Sequence, residues 1–305
     1  MSVATAFEKA RAEDRAALVG YLPAGFPTVD GSIDAIRVLA DAGCDVIEVG
    51  LPYSDPVMDG PTIQAAAQQA LDGGVRIRDV LHTVEAVAAT GTPTVVVLIG
   101  GSAITMSPWI EQVAAVIDAW YPGEQGGPAV ADVIFGAANP SGRLPITFPV
   151  SEGQLPLSYN HKPTGRGDDY VDLTGMALFP FGHGLSYTTF KYSNLRIDKT
   201  EISANESTTV RGTVTNNGSR EGDEVVQLYI RDDLASVAQP QIALKGFTRV
   251  HLRPGQSADV AFEVGPRELR LLDANLNWVV EPGAFRVMIG ASSKDIRLRG
   301  QLVVR

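Results

Sequence analysis

Glu48 stands in an otherwise apolar run, Asp45-Val46-Ile47-Glu48-Val49-Gly50, and Asp59 follows eleven residues later. An unpaired carboxylate inside a buried strand costs several kcal/mol or is driven toward its neutral form, so Glu48 calls for a reason to be there. The intervening Leu51-Pro52-Tyr53-Ser54-Asp55-Pro56-Val57-Met58 reads as a loop leaving the C-terminal end of a parallel strand, where α/β barrels carry their chemistry. Two carboxylates there suit acid/base work. The same spacing also suits a buried carboxylate with its hydrogen bonds met and an Asp at a helix start before Pro61. Spacing alone leaves both roles standing.

The other titratable candidates read as structural. Glu124 follows Pro122-Gly123 at an expected helix start, and Asp132 falls on the outward face of a helical pattern, so capping or solvated roles fit both. His183, between Gly182 and Gly184, reads as a turn residue. His82, His161 and His251 lack the spacing of metal ligands, and no metal or cofactor is expected.

These residues need elements to hold them. Up to about residue 92, apolar runs alternate with helical patterns: 17–22, 33–42, 45–50, 62–71 and 77–89, the grammar of a parallel sheet with crossover helices. A third buried strand is expected at Thr94–Ile99, helices near 108–116 and 127–135, and a strand around 116–120. Residues 149–187 are rich in Gly, Pro and polar groups and read as a long surface connection. After Phe190 the pattern becomes all-β. Runs at 208–215, 224–230, 258–264 and 285–289 alternate in period two, with turn signals Asn216-Asn217-Gly218, Pro254-Gly255 and Pro282-Gly283 between them. About seven short strands over this length fit a β-sandwich of immunoglobulin or fibronectin kind.

Composition narrows the function classes. The 305 residues are 45% hydrophobic and 20% charged, enough for a substantial core. A formal charge of −10 disfavours nucleic acid and anionic membrane as partners. The single cysteine, Cys44, allows no internal disulfide and no cysteine-rich zinc site. Charges interrupt the apolar residues of Met1–Arg15, which therefore do not form a signal-peptide core, and the chain reads as cytoplasmic.

Two vocabularies carry family resemblances. Leu22-Pro23-Ala24-Gly25-Phe26-Pro27, and the unbroken text from Gly43 to Gln64, resemble the tryptophan synthase alpha chain over roughly residues 1–92. That resemblance implies the first part of a TIM barrel that cleaves indole-3-glycerol phosphate to indole and glyceraldehyde 3-phosphate. It makes Glu48 the general acid/base and Asp59 the group stabilising charge at the indole nitrogen. It also places Tyr21 in the wall of the indole pocket, where plain strand-end packing is an equal alternative. Asp55 falls in the loop, Tyr53 to Gly60, that faces the beta subunit, the partner it implies.

From about residue 93 the text resembles glycoside hydrolase family 3 enzymes of the β-glucosidase type. The carrying stretches are 119–127, Ala131–Gly136, Asn139–Pro149 and Phe179–Phe190, then 221–229 and Leu244-Lys245-Gly246-Phe247 in a fibronectin type III-like tail. Retaining hydrolysis in such enzymes needs a nucleophile and an acid/base carboxylate. Neither of the stretches that bear them in the family is present here.

The expected organisation is therefore a chimera: a partial (βα) barrel segment over 1–92, a partial α/β sandwich domain over 93–190 and a fibronectin type III-like domain over 191–305. The two texts meet near Ala88–Val97. The expected function is a family 3 glycosidase portion, incomplete in catalysis. The alternatives are an indole-3-glycerol-phosphate lyase and a non-catalytic interaction or accessory module.

Overall fold

The computed structural model describes residues 3–56, 59–91, 93–163 and 171–305. The chain divides into two compact units, Met1–Ser102 with Met106–Ala138, and Ala103–Thr105 with Asn139–Arg305.

The first unit is mixed α/β. Its order is α1 (Val3–Ala12), β1 (Val19–Pro23), α2 (Val29–Asp41), β2 (Val46–Gly50), α3 (Pro61–Asp72), α4 (Ile77–Ala88), β3 (Val95–Leu98), β4 (Ala115–Asp118) and α5 (Gly126–Ile134). β1 pairs in parallel with β2, and β3 in parallel with β4. A tight route from β1 into α2 explains the Leu-Pro-Ala-Gly-Phe-Pro wording. Gly25 adopts φ +85°, and a Cβ there would lie 2.8 Å from Val75 Cγ2, so only glycine fits. Thr28 then caps α2 by accepting from the Gly31 N–H at 3.0 Å. Ser32, fully buried, accepts from the Gly25 N–H at 3.0 Å and donates to the Val29 carbonyl at 2.7 Å. α4 starts with the Asp79 carboxylate accepting from the Arg76 N–H at 2.8 Å.

One expectation is corrected here. The helix anticipated near 108–116 is a short 3-10 turn, Ile110–Gln112, followed at once by β4. Pro108 and the β-branched Val116-Ile117 favour the strand, whose residues register against Val96 and Val97 of β3. The helix expected at 127–135 forms as α5.

The second unit holds the two-sheet core. Its elements are β5 (Phe190–Ile197), β6 (Glu201–Ile202), β7 (Thr208–Asn216), β8 (Gly222–Asp232), β9 (Ala243–Leu252), β10 (Ser257–Val264), α6 (Pro266–Leu269), β11 (Leu271–Leu272), β12 (Trp278–Val279), β13 (Gly283–Gly290) and β14 (Ile296–Val304). One sheet runs β10-β7-β5 and the other β6-β14-β13-β8-β9. Their inward residues, among them Val210, Val214, Val260 and Phe262 from the first and Val226, Leu228, Val287, Ile289 and Leu302 from the second, form one core. Each such aliphatic side chain removed from water contributes about 1.5–3 kcal/mol.

Residues 139–190 belong to this unit, and the motif words within them anchor it. Asn139 donates from Nδ2 to the Glu221 carbonyl at 2.8 Å and accepts at Oδ1 from Ser186 Oγ and the Tyr187 N–H. Gln227, on the β8 face away from the two-sheet core, donates to the Ala291 carbonyl at 2.6 Å and accepts from Tyr229 Oη at 2.6 Å. Gly246 of the Leu-Lys-Gly-Phe stretch lets β9 pass close to Phe262, where a Cβ would approach Cδ1 to 3.1 Å.

Candidate functional site

The strand register puts Tyr21 directly across from Glu48, and Ala24 N–H donates to the Gly50 carbonyl at 2.9 Å, closing the C-terminal ends of β1 and β2 together. The Tyr21 ring lies so close over Gly50 that a Cβ there would stand 2.6 Å from Cζ. Burial raises the Tyr21 phenol above its ordinary pKa, and the negative fields of Asp59 and Glu48, with Tyr53, push it the same way. The phenol therefore remains a proton donor at neutral pH, with both carboxylates within electrostatic reach. Tyr21, Glu48 and Asp59 are thus brought to one strand edge.

Glu48 is exposed, which corrects the expectation of a buried carboxylate. β2 hydrogen-bonds to β1 in a two-stranded sheet, and the face bearing Glu48 opens to solvent. Asp59 is partly buried just ahead of α3, whose N-cap is Gly60 and whose first residue is Pro61. Gln64 fixes this turn, its Nε2 donating to the carbonyls of Asp59 at 2.8 Å and Pro56 at 3.1 Å. Sequence reasoning passed over Gln64 as a positioning residue; its place one turn into α3 behind a Pro-rich loop was the available signal. Tyr53, Ser54 and Asp55 are exposed, while Val57 and Met58 of the same loop lie outside the described residues.

Glu124 and Asp132 are both exposed, the first ahead of α5 and the second on it. His183 is partly buried with its imidazole stacked on Phe179, ring centroids 5.1 Å apart. Among the described residues no group of three or more His, Cys, Asp and Glu side chains is placed to hold a metal ion.

A polar cluster in the second unit escaped the sequence reading. Arg143 Nη2 donates to Glu224 Oε1 at 2.9 Å, the two side chains being 9% and 4% exposed. Burial and the Glu224 charge hold the nearby Tyr192 phenol far above its ordinary pKa. A charge at the head of the apolar run Glu224-Val225-Val226 was the signal for it.

Known proteins match the chain in three overlapping ways. Residues 7–116 match the tryptophan synthase alpha chain, 77–187 the glycosyl hydrolase family 3 C-terminal domain and 224–293 the fibronectin type III-like domain. A beta-xylosidase of Formosa agariphila is 48% identical over 216 residues, covering 69% of this chain and 30% of its own length. A periplasmic beta-glucosidase of Salmonella typhimurium is 38% identical over 224 residues, covering 70% and 29%. An exo-alpha-(1->6)-L-arabinopyranosidase of Bifidobacterium longum is 35% identical over 277 residues, 86% of this chain and 35% of its own, so that match reaches into the stretch before residue 93. The beta-glucosidase from Listeria innocua in complex with glucose superimposes with a TM-score of 0.74 at 26% identity, over 94% of this chain and 46% of that one. A beta-glucosidase from Erythrobacter marinus gives 0.76 at 28% identity, over 100% and 47%. The chain thus carries glycosyl hydrolase family 3 C-terminal and fibronectin type III-like domains, on a fold similar to β-glucosidases, and spans about a third of the length of the curated relatives it matches.

Proposed function

We propose that residues 93–305 are the C-terminal portion of a family 3 glycoside hydrolase of β-glucosidase type, serving hydrolysis of O-glycosyl bonds, joined to a tryptophan synthase alpha-type segment. In this reading the second unit takes the fibronectin type III arrangement. The 305 residues by themselves are incomplete in catalysis. What carries the reading is the 48% identity over 216 residues to a beta-xylosidase, combined with the exposure of Glu124 and Asp132. A retaining reaction needs a nucleophile and an acid/base facing one glycosidic bond. Two solvated carboxylates at the start and on the outer side of one helix do not supply that pair. The test is release of aglycone from aryl β-glucosides and β-xylosides by the purified chain. Negligible release is expected; release that disappears on Glu124→Ala or Asp132→Ala overturns the reading.

A second reading has its own support in the gathering of Tyr21, Glu48 and Asp59 at one strand edge. It makes the first unit a partial TIM-type barrel and an indole-3-glycerol-phosphate lyase, with Glu48 as acid/base, Asp59 stabilising the indole nitrogen and Tyr21 lining the ring. Its partner would be a beta-type subunit docking on the exposed Tyr53-Ser54-Asp55. Against it, the parallel strands of this unit come as two pairs rather than a closed ring of eight, and a dianionic phosphate meets an acidic chain. Remote phosphate binding positions such a substrate, so its loss lowers turnover as well as affinity. Indole release, measured with and without beta subunit, is expected to stay at background; turnover lost on Glu48→Gln promotes this reading over the first.

A further inference from the structure

The short stretch Phe179–Gly184 is fastened to the second unit at both ends of one histidine. Gly182 N–H donates to the Leu144 carbonyl at 2.8 Å, and the His183 carbonyl accepts from the Leu144 N–H at 2.8 Å. The Phe181 carbonyl accepts from the Ser293 N–H at 3.0 Å. The two glycines flanking His183 lie directly on buried polar side chains. A Cβ on Gly182 would come within 3.0 Å of Gln227 Cδ, and one on Gly184 within 3.1 Å of Arg143 Cδ. Between them the His183 imidazole stacks on Phe179 at 18° between planes, and its ring nitrogens have no hydrogen-bond partner among the described residues.

We infer that Phe179–Gly184 is a latch on the outer face of the five-stranded sheet, and that protonation of His183 opens it. The charged groups around the imidazole come from three elements. Arg143 is the nearest cation and is tied to Glu224 of β8. Asp295, in the β13–β14 turn, is tied to Arg297 of β14 at 2.8 Å, and the Arg297 guanidinium sits 5.0 Å from the centre of the Tyr192 ring of β5. Both carboxylates already have an arginine, so a new imidazolium enters a site whose anions are committed and whose nearest cation repels it. Burial, then Arg143, hold the His183 pKa below its ordinary value, and Asp295 offsets this in part.

The sign follows from linkage. The closed latch holds His183 neutral, whereas the released segment lets it take up a proton near the ordinary value of about 6.5. Hold is complete above that pH and weakens as the pH falls toward the lower value of the closed state. Opening is felt beyond the latch. Phe181 stacks on Tyr159 at 4.1 Å, and Tyr159 Oη accepts from the Leu244 N–H at 3.2 Å beside the register shift between β8 and β9. Release of Phe181 therefore loosens the ring that covers that irregular pairing.

Amide hydrogen exchange of the full chain between pH 7.5 and 5.5, corrected for intrinsic rates, tests this. The opening constants at Leu144, Gly182 and Ser293 are expected to rise by up to about tenfold per pH unit below about 6.5, with the β7–β10 amides unchanged. His183→Phe keeps the stacking and removes the proton, and its profile is expected to be flat. A wild-type profile without slope, or the same slope in His183→Phe, overturns the proposal. Should that variant fold poorly, titration of the His183 ring by NMR in the wild-type chain decides: a midpoint below 6.5 supports the latch, and one at or above 6.5 overturns it.

Discussion

Arg143 and Glu224 lie 81 positions apart and meet in a 2.9 Å ion pair almost wholly removed from solvent. Removing one partner of such a pair strands a charge in a poorly solvated site, which costs about 3–5 kcal/mol, whereas replacing both with apolar groups of similar volume costs far less or nothing. Glu224→Gln and Arg143→Met are each expected to lower the denaturant midpoint of the second unit markedly, and the double variant Arg143→Met/Glu224→Leu to recover most of the loss. A double variant as unstable as the sum of the singles contradicts this account.

The pair also sets where the second unit begins. β8 is buried on both faces, its outward Val225, Gln227 and Tyr229 lying under residues that precede β5. A fragment spanning 139–305 is expected to unfold in one cooperative transition. A fragment spanning 191–305 keeps the two-sheet core but exposes Tyr229 and leaves Glu224 without its arginine, so its midpoint should fall by several degrees at least. Equal thermal midpoints for the two fragments would sink the prediction.

Asp118 ends β4 opposite Leu98, with Oδ1 accepting from the Trp120 N–H at 3.3 Å and Oδ2 buried without a partner. Burial raises its pKa above the ordinary carboxylate value. A raised carboxyl stabilises the fold below the unfolded-state value of about 3.9 and loses that contribution as pH rises. Asp118→Asn is therefore expected to raise the thermal midpoint at pH 7, with the gain vanishing below about pH 4. A pH-independent gain, or a loss at pH 7, rules the explanation out.

How much of this was legible in the sequence depended on whether the physics was local. β7 alternates buried and less buried residues along its whole length, and its period-two text announces it. β8 reads Asp-Glu-Val-Val-Gln-Leu-Tyr-Ile, and nothing in that run says that its outer face is covered, because the cover comes from residues about 40 to 80 positions away. The same distance hid the roles of Asn139 and Arg143. Glu48 was misjudged as buried for the converse reason: apolar neighbours in sequence do not report which face of a two-stranded sheet remains open. Tyr21 and Asp59 were placed correctly at the strand edge because a parallel strand followed by a loop fixes that direction by itself. The run Val113–Ile117 could have served helix or strand, and its partner in β3 decided it.

The stretch from α4 through β4 answers to two family descriptions at once, since the matches at 7–116 and 77–187 share it. Its backbone hydrogen bonds are nearly all internal: α4 is closed at its start by Asp79, and β3 is laddered to β4 in register from Val95 to Leu98. A genetic exchange with its breakpoint in the turn between α4 and β3 would leave that helix and that ladder intact on either side. Such a turn is a natural crossover site, where two lineages can trade flanking sequence while the hinge between them keeps folding by rules common to both.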